Sequence, residues 1–413
     1  MINIKFIIPL GSTNAKSTLK LVHFAFINSL GRSKDRQLRL LKIEDLHIRL
    51  ESIYREYEYL TRCDWLNDDV IWAQLLNRQQ NHMAIVLYSI SNRFPPQIIH
   101  TESHRDHWYN CHEILYFLKN KPLENDKSDG NMIAIPNLTD NENDNGDGDY
   151  DVIMVGSKVE FLWSSEVTGF RHLYKISVEI ANFPEKIQLD NDDSFVNDEK
   201  HIERMNQETR NQLSNHELKA ELLENRQLTY GNWEVSESMY WVNEQNDLIF
   251  FLGTRDSPLE NHLYVISSSQ SSRIAPRRLS KEDFTHTKIV FDPKFRFCID
   301  FQSNVSIPPF GYLHKVVAPV DNPLNINLEP QYMFLNLPDD IKVEDSMEYY
   351  EKVQILGPTP HLFECKLRSG ELIYGFLFKP EFMEPGFKYP VLLEIYGGPE
   401  VQLVTKSFKG LLY

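Results

Sequence analysis

At 413 residues, 41% hydrophobic and 12% aromatic, the chain is long for one compact domain and can bury a sizeable core. Its formal net charge of −16 argues against duplex nucleic acid, which needs a basic face to neutralise phosphates. Four scattered cysteines (Cys63, Cys111, Cys298, Cys365) form no C-x-x-C pair, so they suggest neither a zinc ribbon nor a disulfide framework, and no window approaches the roughly 18 apolar residues of a membrane span.

The amino-terminal Met1-Ile-Asn-Ile-Lys-Phe-Ile-Ile-Pro-Leu-Gly11 has an apolar run broken by Pro9, too short for a signal-peptide core. The plain reading is a soluble cytosolic protein. A helix is expected over 43–61, where Leu46, Ile48, Leu50, Ile53, Tyr54 and Tyr57 mix helical and strand periods. Next come three units of strand, polar turn and strand: Trp72-Ala-Gln-Leu-Leu-Asn77 with Asn81-His-Met-Ala-Ile-Val86, Leu162-Trp-Ser-Ser-Glu166 with Arg171-His-Leu-Tyr-Lys-Ile176, and Leu252-Gly-Thr-Arg-Asp256 with Asn261-His-Leu-Tyr-Val-Ile266. Each reads as an antiparallel hairpin, and their recurrence points to a radial or stacked β array, of which the β-propeller is the usual form. His82, His172 and His262 open the second strands at intervals of 90 residues. A position that repeats in this way reports packing rather than catalysis.

Between the hairpins, His100, His104, His107, Cys111 and His112 are the densest group of metal-ligand residue types. The His100/His104 spacing would suit a helix face, but no H-E-x-x-H or paired-cysteine motif completes a site, so no metal is assigned. The low-complexity Asp140-Asn-Glu-Asn-Asp-Asn-Gly-Asp-Gly-Asp-Tyr-Asp151 cannot bury enough apolar surface to offset its ordering entropy, and an insert over 124–151 is expected to be disordered. Framed as a calcium loop on Asn141, Asn143, Asn145 and Gly146, it has Asn first and Val152 twelfth, which fails two of the most charge-critical ligands. The span 198–223 lacks Gly and Pro, is rich in helix formers, and reads as an inserted surface helix.

After the charged linker Pro338-Asp-Asp-Ile-Lys-Val-Glu-Asp345 the pattern changes. Three strands are expected, at 363–367, 372–378 and 391–395, joined by turns at Arg368-Ser-Gly370 and Pro385-Gly-Phe-Lys-Tyr-Pro390. The last of them runs into Tyr396-Gly397-Gly398-Pro399, which puts a phenol at the carboxyl end of an apolar strand, where α/β enzymes build active sites.

Thr168-Gly-Phe-Arg-His-Leu-Tyr-Lys-Ile176, Leu228-Thr-Tyr-Gly-Asn-Trp-Glu-Val235, Gly253-Thr-Arg-Asp-Ser-Pro-Leu-Glu-Asn-His-Leu-Tyr-Val265, Leu377-Phe-Lys-Pro380 and the Tyr396 motif resemble, in order, landmarks of the prolyl oligopeptidase family, and of its dipeptidyl peptidase 8/9 subfamily above all. The resemblance covers most of the chain, from about Thr13 to Gly410. It implies a mainly β fold, with a partial β-propeller over 1–345 and the first strands of an α/β-hydrolase domain over 346–413. It also implies a cytosolic serine dipeptidyl peptidase that releases Xaa-Pro and Xaa-Ala dipeptides without metal or organic cofactor, acts on peptides, and forms a homodimer. Tyr396 maps to the family's oxyanion donor, with Gly397 and Gly398 shaping its turn. Glu400 stands where the subfamily usually has Gln.

The G-x-S-x-G nucleophile elbow and the Glu-Glu pair for a substrate amine that the resemblance implies do not occur in the sequence, so against that family the chain is expected to be a piece cut inside both domains and inactive alone. A non-catalytic propeller that binds a protein partner, or a mispredicted gene fragment, are the other readings.

Overall fold

The computed structural model describes residues 19–28, 36–46, 56–90, 96–119, 158–180, 219–269, 274–319, 322–334, 360–380, 382–398 and 401–409. Apart from one 3-10 turn at Glu244–Asn246, their regular elements are all strands. β1 (Lys20–Asn28) and β2 (Arg36–Asp45) pair antiparallel as a two-stranded ribbon.

Four four-stranded sheets follow, each with its strands side by side in chain order, the pattern of propeller blades. The first holds β3 (Tyr57–Trp65), β4 (Val70–Asn77), β5 (His82–Ser89) and β6 (Gln97–Ser103). The second holds β7 (Leu115–Leu118), β8 (Lys158–Ser165), β9 (His172–Glu179) and β10 (Glu221–Gln227). The third holds β11 (Val235–Asn243), β12 (Leu248–Gly253), β13 (His262–Ser267) and the short β14 (Arg277–Arg278). The fourth holds β15 (Thr285–Phe291), β16 (Phe297–Ser303), β17 (Phe310–Val317) and β18 (Asn327–Phe334). A hairpin of β19 (His361–Lys366) and β20 (Leu372–Leu377) comes last.

The inner strands β5 and β12 read as nearly continuous apolar runs, as expected where both faces of a sheet are covered. β12, Leu-Ile-Phe-Phe-Leu-Gly, is buried at every position, and β5 is buried at every position after His82. Edge strand β10, in contrast, exposes Glu221, Leu222 and Leu223. Phe250 is fully buried in β12 and lies against Phe291 and Phe295 at ring-centroid distances of 4.8 and 5.6 Å.

The chain divides into two compact units, one of Met1–Cys111, Phe117–Phe161 and Ile176–Glu224, the other of His112–Tyr116, Leu162–Lys175 and Asn225–Tyr413. In the first, Tyr57, Ile71, Leu75, Val86, Tyr88 and Ile98 build a core with Leu46. The second has one core around Trp233, Phe251 and Tyr264 and another around Phe250, Leu263 and Ile289. Trp233 is set by its turn. Its indole N–H donates to Tyr230 O at 2.7 Å, and Gly231 between them has φ +128°, where a Cβ would meet the indole nitrogen at 2.6 Å.

Several expectations fail. The helix over 43–61 is contradicted at both ends, since Ile43 lies in β2 and 57–61 lie in β3. Cross-strand pairing overrides the local pattern there, which already mixed both periods. The helix over 198–223 is contradicted at 221–223, which start β10, while 198–218 and the insert 124–151 lie outside the described residues. Likewise 391–395 is no strand. No strand pairs with it among the described residues, and without a neighbour to pair its backbone or cover its face Val391 and Leu392 stay 84% and 96% exposed.

Candidate functional site

The residues singled out by motif and those singled out by repetition part company in the structure. Tyr396 lies beyond the β19–β20 hairpin, 57% exposed, and its hydroxyl has no hydrogen-bond partner among the described residues. Its ring leans over Gly398: a Cβ built there would sit 2.5 Å from the phenol oxygen, so only glycine leaves the phenol this place. Nothing stands within 4 Å of the Cβ direction of Gly397. The three residues thus present an exposed phenol O–H donor, open to an incoming acceptor, beside a backbone bend at Gly398. The expected buried strand beneath the phenol is the part that is not formed.

The three repeated histidines begin β5, β9 and β13, as the hairpin reading requires. Each is clamped by a hydroxyl at Nδ1. His82 meets Ser103 Oγ there and Tyr57 Oη at Nε2, the latter at 2.8 Å. His172 Nδ1 lies 3.0 Å from Thr229 Oγ1 and its Nε2 donates to Gly231 O at 2.9 Å. His262 Nδ1 lies 3.1 Å from Ser280 Oγ and its Nε2 is 3.0 Å from Glu260 Oε2. Burial pushes His172 and His262 below the ordinary imidazole range, more than the bonds to Gly231 O and Glu260 raise them. Neutral rings with a proton on Nε2 satisfy both sets of partners. These histidines stitch strand starts together, and among the described residues their ring nitrogens meet only these structural partners.

The His100–His112 group does not assemble. His100 sits in strand β6, not on a helix, with Nε2 3.1 Å from Glu102, while His112 is buried against Trp163 with Nδ1 2.9 Å from Ser164 Oγ. Among the described residues no three His, Cys, Asp or Glu side chains converge as metal ligands. The calcium-type loop at 141–152 lies outside the described residues. All four cysteines are free thiols.

Two arrangements were invisible in the sequence. Buried His286 holds Asp300 through Nδ1 at 2.8 and 2.9 Å to the two carboxylate oxygens, with its Nε2 3.1 Å from Lys281 O. Glu260 bonds Lys406, 146 residues away in sequence, at 2.6 Å. No local motif marks either pair, because chain folding alone brings the partners together.

The family model described as "Dipeptidyl peptidase IV (DPP IV) N-terminal region" matches residues 22–309. Among curated proteins the chain is similar to mouse (Mus musculus) dipeptidyl peptidase 8, 28% identical over 88% of this chain, and to its human (Homo sapiens) counterpart, 27% identical over 98% of it. It spans only 36% and 39% of those two relatives' own lengths. Dipeptidyl aminopeptidase A of Saccharomyces cerevisiae is 28% identical over 43% of the chain and 19% of the relative.

Proposed function

Because the chain belongs to the dipeptidyl peptidase IV N-terminal-region family, we propose that it works as part of a cytosolic serine dipeptidyl peptidase that removes Xaa-Pro and Xaa-Ala dipeptides from peptide amino termini. In this reading 1–345 is propeller and 346–413 opens the α/β-hydrolase domain. The observation that carries it is Tyr396, a phenol without a hydrogen-bond partner among the described residues and directly before Gly397-Gly398, in a chain of which 98% aligns with human dipeptidyl peptidase 8.

The chemistry needs a Ser nucleophile, a His base and a donor for the tetrahedral oxyanion. Tyr396 supplies the donor. A phenol O–H aimed at charge that develops only in the transition state lowers the barrier without tightening the ground state, a contribution of about 3–4 kcal/mol for one such donor. The propeller restricts access to the site and presents the peptide's free amine, and the active assembly is a homodimer.

The test is turnover of Gly-Pro and Gly-Ala chromogenic amides by the full-length protein, with N-acetylated Gly-Pro amide as control. Release that requires the free amine is expected. Equal turnover of the acetylated substrate, or none of either, refutes the reading. The 413-residue chain alone has no G-x-S-x-G and is expected to give no turnover and to take no fluorophosphonate label.

A further inference from the structure

The described residues that follow the Tyr396 motif, 401–409, lie against the turn between β12 and β13, and that turn offers three acceptors in succession. Pro258 O accepts from Gln402 Nε2 at 2.9 Å, Leu259 O from the Lys406 amide at 2.8 Å, and Glu260 Oε1 from Lys406 Nζ at 2.6 Å. Lys406 is therefore held at its backbone and at its tip by consecutive residues of one turn, a geometry that a surface lysine meeting a carboxylate by chance does not have.

Glu260 is built for the role. It is only 8% exposed, and its second oxygen takes the His262 bond described above. Burial alone would raise its carboxyl, but the bonds from Lys406 and His262 outweigh that and hold it below the usual carboxylate range. Without Lys406 the carboxylate would be left buried and short of a donor, which is what makes the pair matter. The segment has other anchors: the Phe408 amide donates to Ser303 Oγ at 3.3 Å, and Lys409 Nζ stands 5.7 Å from the centre of the Phe376 ring in β20. Tyr396 is six residues before Gln402, a span that reaches roughly 20 Å at most.

We propose that Lys406 and Glu260 form a latch that fastens the segment after Tyr396-Gly397-Gly398 to the β12–β13 turn, and that both act as positioning residues for Tyr396. The latch follows from the contacts themselves, whereas its catalytic consequence rests on the oxyanion reading above.

Hydrogen exchange of the 413-residue chain tests the latch. In Lys406→Met and in Glu260→Gln the amides of 402–409 exchange at least about tenfold faster, while Lys406→Arg, which keeps the cation, stays near wild type. Lys406 is 40% exposed at its side chain, so its replacement leaves the cores alone even if the Glu260 variant folds poorly. In the full-length protein Lys406→Met lowers kcat about 10- to 100-fold with KM little changed, as expected for a displaced catalytic group. Wild-type exchange in both disabling variants overturns the latch. Faster exchange with unchanged kcat overturns the positioning role. A Tyr396→Phe variant with wild-type kcat refutes the oxyanion reading instead, and exchange alone then decides the latch.

Discussion

Thr229 Oγ1 lies 3.0 Å from His172 Nδ1 and 3.0 Å from the Leu173 amide, so one buried hydroxyl accepts a backbone N–H and donates to the neighbouring ring. The third sheet repeats the device, with Ser280 Oγ between His262 Nδ1 and the Leu263 amide at 3.1 and 3.0 Å. This accounts for a histidine that recurs at the start of a blade strand in a packing role.

Thr229→Val keeps the volume but orphans both groups. A loss of about 1–3 kcal/mol for each buried unpaired group is expected, while Thr229→Ser, which retains the hydroxyl, loses far less. Urea unfolding midpoints of the two variants check this. Equal midpoints would mean that the hydroxyl bonds contribute nothing beyond shape.

Stability should fall with acid in two stages. His172, His262 and His314 are all held below 6.5, in each case with burial as the largest cause. The unfolded chain therefore binds more protons as pH drops through about 6.5, and stability present above that value is lost below it. Glu260 is depressed from 4.5, so its contribution is present above 4.5 and lost below, as its folded pKa is approached. A melting temperature that is flat from pH 7 to 8 and declines from pH 6.5 downward is the expected profile. Greater stability at pH 5.5 than at pH 7.5 would contradict the buried neutral imidazoles.

Thiol reactivity should separate by burial. Cys298 is buried in β16 and its thiol is pushed up to about 12, first by burial and then by Asp300 and Asp292. Cys365, in β19, is exposed. Mass spectrometry after brief maleimide treatment of the native chain should find Cys365 labelled and Cys298 untouched until denaturant is added. Early labelling at Cys298 would contradict the packing of β15–β18.

Tyr396→Phe in the full-length context is the decisive test of the chemistry. It keeps the ring over Gly398 and removes only the donor, so kcat should drop roughly 10²–10³-fold with KM nearly unchanged. A packing role gives the reverse: an active Phe variant, and damage only from Tyr396→Ala through lost volume. Measuring kcat and melting temperature for both variants separates the two.

The hairpins, their turns and the histidines that open β5, β9 and β13 were legible in the sequence, because these strands are predominantly apolar and bounded by polar turns, a purely local pattern. The ordered landmarks likewise carried the family. Local pattern misled at 43–61 and 391–395, where composition suits an ordered element but pairing decides. Residues 57–61 found a partner strand in β4, whereas 391–395 has none among the described residues. The clamps and the latch were beyond reach for a different reason. Thr229 is 57 residues from His172, and Lys406 is 146 from Glu260. Hydrogen bonds and ion pairs act over a few ångströms of space and carry no signature along the chain, so only the folded arrangement of the blades and the 401–409 segment could determine them.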